Sequence, residues 1–162
     1  MSSESAIIKA GMTAPKFELP ASGGQAISLA DYAGKQMVVL YFYPKADTPG
    51  CTKETCGFRD SLAGFKKAGV AVLGISPDPV AKVQKFADKF KLNFPLLADA
   101  DHAVADKYGV WGEKKFMGRK YMGVLRTTFV IGKEGKIAHV FENVKPEGHE
   151  NQVLEWIEGN LK

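Results

Sequence analysis

Cys51 and Cys56 are the only cysteines in the chain. They stand five positions apart in the run Pro44-Lys45-Ala46-Asp47-Thr48-Pro49-Gly50-Cys51-Thr52-Lys53-Glu54-Thr55-Cys56, directly after the apolar stretch Met37–Tyr43. A strand, a Pro-Gly turn and a helix that opens on a cysteine favour a reactive thiolate. The first helical turn presents unpaired N–H groups and the positive end of the macrodipole, and both stabilise S⁻ over SH. The second cysteine is near enough in sequence to attack whatever the first becomes.

The spacing carries a mechanical consequence. If residues 51–56 are helical, the two Cα atoms lie about 8.6 Å apart. A disulfide needs them within about 7 Å, with side chains that face one another. Either the two never bond, or oxidation unwinds the start of the helix. Burial as two small hydrophobes would leave the Pro-Gly turn unexplained. A C-x-x-C motif is excluded because four residues intervene. Two cysteines with His102, His139 and His149 scattered along the chain do not make a zinc-ligand spacing.

A thiolate that attacks an electrophile also needs partners. The hydroxyl of Thr48 can reach back over the helix start, accepting from a backbone N–H and donating to sulfur or substrate; an ordinary N-cap role is compatible with this. Pro44 fixes the backbone beside the thiol and, by physics alone, reads as a strand terminator. Arg59, Arg119 and Arg126 are the only arginines. Arg59 falls off the apolar helix face and suits a surface role, and Arg119 sits among glycines and lysines in what reads as a polar loop. Arg126 immediately precedes the apolar run Thr127–Ile131, so it is held on a rigid element. Its residue type fits a strand-end salt bridge and a cation for the thiolate equally well. Glu54 reads as a solvated acid at the helix start. Phe42, Trp111, Phe116 and Met117 are candidates for an apolar collar that would set substrate preference.

The elements that must position these residues follow from periodicity. Phe17–Pro20 and Ala26–Leu29 flank Ser22-Gly23-Gly24-Gln25 as an N-terminal hairpin. Met37–Tyr43 reads as a strand buried on both faces. Cys51, Thr55, Phe58, Leu62 and Phe65 recur at steps of four and three, which places Cys51 on the buried face of one helix and Cys56 off it, with Asp60 and Lys53. Gly69 ends this helix and Val70–Ser76 is a second strand. Pro79 sits at a first helical position, followed by the stripe Val80, Val83, Ala87 and Phe90. A short strand over Phe94–Asp99, a short helix around His102–Tyr108, a hairpin of Thr127–Ile131 with Lys136–Glu142, and a last helix over Gly148–Asn160 complete the order. The reading is one domain over residues 1–162, with a mixed sheet and helices on both faces.

Composition agrees with an ordinary globular chain: 162 residues, 45% hydrophobic, 25% charged, net charge +4. The charges are interleaved, which argues against a nucleic-acid stripe. No apolar run approaches membrane-spanning length, and the N-terminus lacks a basic start and an apolar export region. With two cysteines and no export signal, the expectation is a cytoplasmic thiol enzyme.

The Pro44-x-x-x-Thr48-x-x-Cys51 pattern resembles the peroxide-reducing motif of the peroxiredoxins, and Gly123–Ile131 resembles their segment that carries an active-site arginine. Leu73–Ser76 and Phe94–Asp99 extend the likeness. Tyr108–Lys114, Tyr121-Met122-Gly123 and the added Cys56 resemble the bacterioferritin-comigratory, or peroxiredoxin Q, branch. The element order fits their thioredoxin-like fold, in which the Cys51 turn lies beyond the C-terminal edge of a strand, a usual place for chemistry in open α/β sheets. The resemblance implies that Cys51 is the peroxidatic nucleophile, with Thr48, Arg126 and Pro44 around it, and that Cys56 resolves the sulfenic acid as an intramolecular disulfide. It implies a peroxide substrate, thioredoxin or a glutaredoxin-like dithiol as reductant, no cofactor or metal, and a monomer. Two alternatives stay open: a dithiol oxidoreductase acting on protein disulfides, and a redox sensor or holdase that uses the unwinding helix as a switch.

Overall fold

The computed structural model describes residues 7–160. β1 (Glu18–Pro20) and β2 (Ala26–Ser28) pair antiparallel in the expected hairpin, with Leu19 opposite Ile27. Gly23 and Gly24 supply the positive φ, 93° and 80°, that lets the chain reverse there. Ser28 then caps a single 3-10 turn over Leu29–Asp31, and Asp31 returns a bond to the Ser28 N–H.

β3 (Met37–Phe42) is the middle strand of a five-stranded sheet with the order β5-β4-β3-β8-β9. It runs parallel to β4 (Val70–Ser76), which runs parallel to β5 (Leu96–Ala98). Parallel neighbours need crossovers, and α1 (Pro49–Lys67) and α2 (Val80–Lys89) provide them. β8 (Thr127–Ile131) lies antiparallel to β3, and β9 (Ile137–Phe141) antiparallel to β8.

The side chains of β3 explain its unbroken apolar run. Val38, Leu40 and Phe42 face the N-terminal hairpin, α3 (Ala103–Lys107) and Tyr108. Val39 and Tyr41, with Tyr43 just past the strand end, face α1, α2 and α4 (His149–Asn160). A period-2 strand covered on both sides cannot afford polar residues on either. The expected thioredoxin-like fold, a mixed sheet with helices on both faces, is thus the observed one.

Three local readings are corrected. The segment read as a polar loop around Arg119 is a ribbon of β6 (Trp111–Phe116) and β7 (Arg119–Val124), separate from the main sheet. Pro79 is the extended N-cap of α2, with ψ 154°, and not its first helical residue. Val80 is 42% exposed, and Phe86 joins Val83 and Ala87 on the buried face. No helix among the described residues is long and apolar enough to cross a membrane.

Candidate active site

The chain leaves β3 at Tyr43, whose N–H still joins the ladder through Ile75 O at 3.0 Å. Pro44 then turns it into a short loop braced from outside. The Ala46 N–H donates to Asp78 at 2.8 Å, and Asp47, held at φ 63°, pairs with Lys89 at 3.0 Å. Thr48 is the N-cap of α1 and Pro49 its first residue, the position where a missing N–H costs nothing. The hydroxyl of Thr48 does not cap the helix. It donates to Lys45 O at 2.9 Å, and the N-cap contributes only its backbone carbonyl, which accepts from Thr52 N–H at 2.8 Å. With its proton committed to the loop, the Thr48 oxygen is left as an acceptor.

Cys51 lies in the first turn of α1 and is fully buried. Arg126, at the foot of β8, donates from Nη2 to Cys51 Sγ at 3.3 Å. Its own carbonyl accepts from Val144 N–H at 3.1 Å, which ties the β9–α4 loop to the site. That loop brings Pro146 to the helix start. A Cβ on Gly50 would stand 3.4 Å from Pro146 Cγ and 3.5 Å from Arg126 Nη2. Pro146 carried no signal in the sequence, since its approach depends on the fold of a loop 96 positions away.

Glu54 is the main correction. Expected as a solvated acid, it is fully buried, and its Oε1 accepts from Arg126 Nη1 at 2.6 Å. Its Oε2 is buried without a hydrogen-bond partner. Position 54 lies three residues after Cys51 and four before Phe58, so helical geometry carries it onto the buried stripe. Arg126 therefore forks between a sulfur and a carboxylate. Burial raises the Glu54 carboxyl from 4.5 to about 7, against the lowering effect of the Arg126 charge. Burial also opposes the Arg126 charge, but Cys51 and Glu54 together hold that guanidinium above its ordinary value.

The sign of the Glu54 shift sets a pH dependence. Because folding favours the protonated carboxyl, its contribution to stability is fully present below pH 4.5 and is lost as pH rises through about 7. The loss is on the order of 3 kcal/mol. Glu54→Gln keeps an oxygen for Arg126 but cannot ionise, so its unfolding midpoint should stay level across that window and exceed the wild type at pH 8. Parallel denaturation profiles for the two proteins would show Glu54 ionised throughout.

Cys56 lies five residues further along α1 and is half-buried and free, like Cys51. Burial raises its thiol, with Arg59 pulling it down and Asp60 pushing it up. Burial thus disfavours its thiolate, the nucleophilic form, in the intact helix. Arg59 serves structure: it donates to Phe90 O at 2.7 Å and pairs with Asp60 at 2.9 Å.

Lys114 was not singled out by the sequence. Its Nζ donates to Val124 O at 2.9 Å, and its ammonium is lowered by burial and then by Arg126, with Cys51 acting the other way. The proposed collar is not assembled. Phe42 packs on the opposite sheet face against Tyr108 and Phe129, Trp111 stacks on His102 at 3.8 Å, and Met117 is 87% exposed at the ribbon turn. The Phe116 side chain falls outside the described set. Among the described residues no group of three or more His, Cys, Asp or Glu is arranged to hold a metal.

Comparison with known proteins agrees with this geometry. Residues 10–140 match the AhpC/TSA family. Peroxiredoxin Bcp of Escherichia coli K12 is 53% identical over 150 residues, covering 93% of this chain and 96% of that protein. The bacterioferritin comigratory protein of Xanthomonas campestris, whose structures were solved to explain its alkyl peroxide reduction activity, superposes with a TM-score of 0.87 at 35% identity, over 94% of this chain and 99% of that one. A peroxiredoxin Q mutant of Xylella fastidiosa superposes with a TM-score of 0.91 at 32% identity, over 97% and 99%. A buried cysteine at a helix start, gripped by a strand-foot arginine, on a chain with these relatives, makes this protein a member of the AhpC/TSA family, a peroxiredoxin of the bacterioferritin-comigratory branch.

Proposed function

We propose that Cys51 is the peroxidatic nucleophile of a two-cysteine thiol peroxidase that reduces hydrogen peroxide and organic hydroperoxides. The observation that carries the reading is the 3.3 Å contact from Arg126 Nη2 to Cys51 Sγ. A charge-assisted donor aimed at a buried sulfur stabilises S⁻, and it also faces the oxygen on which negative charge grows as the O–O bond breaks. In the first step the thiolate takes the near peroxide oxygen and becomes Cys51–SOH, and the far oxygen leaves as alkoxide or hydroxide and takes a proton. Thr48, left as an acceptor by its bond to Lys45 O, receives the peroxide O–H and orients it. Pro44 shields the thiolate from water.

In the second step the Cys56 thiolate attacks the Cys51 sulfenic sulfur, hydroxide leaves and takes a proton, and the disulfide forms. An external dithiol, thioredoxin or a glutaredoxin-like protein, then exchanges with it and is itself oxidised. Both cysteines lie within α1, where about 8.6 Å separates Cα atoms five residues apart. The bond therefore requires the first turns of α1 to unwind. Unwinding also relieves the burial that disfavours the Cys56 thiolate. Hydrogen exchange across residues 50–60 should be slow in the reduced protein and fast in the oxidised one; equal protection, with the disulfide confirmed by mass, would rule out the switch. The activity itself is tested by peroxide consumption with dithiothreitol, run beside an insulin-reduction assay. Insulin reduction without peroxide consumption would favour a disulfide oxidoreductase instead.

A further inference from the structure

The ribbon of β6 and β7 is separate from the main sheet, with only its root at Trp111 and Val124 packed into the core, and two-stranded ribbons are marginal alone. All four residues Arg119–Met122 are exposed, although successive residues of a strand point to opposite sides. Met117, Tyr121 and Met122 are 87%, 47% and 55% exposed.

The charges of the ribbon are unusual too. Residues 111–124 hold four cations and one anion, a local charge of +3 in a chain whose total is +4. Lys115 stands directly opposite Lys120, a like-charge cross-strand pair that opposes the ribbon's own stability. Glu113 relieves Lys120 only at 3.9 Å, and among the described residues Lys115 makes no ion pair. A local arrangement that works against folding marks a surface kept for another purpose.

The root of the ribbon is the active site. Val124 pairs with Trp111, Leu125 N–H donates to Val110 O at 2.7 Å, and the next residue is Arg126. Six-residue strands reach about 20 Å from that root. We propose that this ribbon is the landing surface for the protein that reduces the oxidised enzyme, an acidic dithiol protein whose negative face meets Lys115 and Lys120 around Met122. The proposal rests on the peroxidase reading above. A second copy of this chain is disfavoured as occupant, because self-docking would set +3 against +3.

Lys115→Glu provides the test, since it places an opposite charge across from Lys120 and leaves the fold intact or firmer. Lys115→Gln/Lys120→Gln is the neutral counterpart. With dithiothreitol as reductant both variants should turn over peroxide like the wild type. With a reduced thioredoxin of net negative charge, the wild-type kcat/KM for the reductant should fall steeply with salt. In Lys115→Glu it should be lower by about tenfold at low salt and much less salt-dependent. Equal thioredoxin kinetics in wild type and variants would overturn the proposal. So would unchanged thioredoxin kinetics accompanied by loss of binding to phosphatidylserine vesicles, which would make the ribbon a membrane contact. A wild type that consumes no peroxide with dithiothreitol would instead sink the peroxidase reading.

Discussion

Cys51→Ser should abolish peroxide reduction outright, whereas Cys56→Ser should react with one equivalent of peroxide and halt at the sulfenic acid until more peroxide is added. The asymmetry follows from position within one helix. Cys51 is in the first turn, fully buried, with Arg126 on its sulfur. Cys56 lies beyond that turn, and burial disfavours its thiolate. Only the former has a cationic donor on its sulfur, placed where a departing oxygen would need one. In Cys56→Ser the sulfenic acid has no neighbouring thiol, so further peroxide drives it to the sulfinic form. Intact-mass measurement after one and then several equivalents should show Cys51 gain one oxygen and then a second. A sulfenic acid found on Cys56 in the Cys51→Ser protein would reverse the assignment.

The parts of this site that were legible in the sequence are those dictated by local geometry. The Pro49-Gly50 turn and the recurrence of Cys51, Thr55, Phe58, Leu62 and Phe65 place Cys51 at the head of a helix on its buried face, and the structure has all five buried. Glu54 falls within the same periodicity, but its charge points to solvent in the sequence: a carboxylate on a buried stripe is costly unless paired, and its partner comes from the foot of β8, 72 residues away. The direction of the Thr48 hydroxyl is hidden from the sequence for a related reason. Its acceptor, Lys45 O, is set by the loop conformation and not by the helix it precedes.

The ribbon of β6 and β7 was hidden by its turn chemistry. Met117 and Gly118 have φ values of 51° and 79°, both positive, as in the two-residue turn that matches strand twist. Asn-Gly or Asp-Gly would have announced it. A methionine at the first position gives no such signal, and strands with Lys114 beside Lys115 and Lys120 beside Tyr121 show no clean alternation. The resemblance marked this segment as familiar without saying what shape it takes.

Arg126→Met should slow the reaction of Cys51 with peroxide by about a hundredfold or more, the usual cost of losing a donor aimed at a developing oxyanion. It should also destabilise the protein, for a separate reason. Arg126 is the partner of a fully buried carboxylate whose other oxygen has no bond. Stripping the cation from such a pair costs about 3–5 kcal/mol while the acid stays ionised. Without Arg126, burial of Glu54 acts unopposed, so the acid takes up a proton more readily and the stability penalty should grow with pH. The double variant Arg126→Met/Glu54→Gln separates the two effects. It should recover most of the lost stability at pH 8, because no uncompensated charge remains in the core. It should not recover the rate, because no cation faces the sulfur. Stopped-flow oxidation and denaturant titration of the three variants decide the matter. If Glu54→Gln restored the rate as well, the role of Arg126 would be to neutralise Glu54, and stabilisation of the thiolate would have to come from the helix start alone.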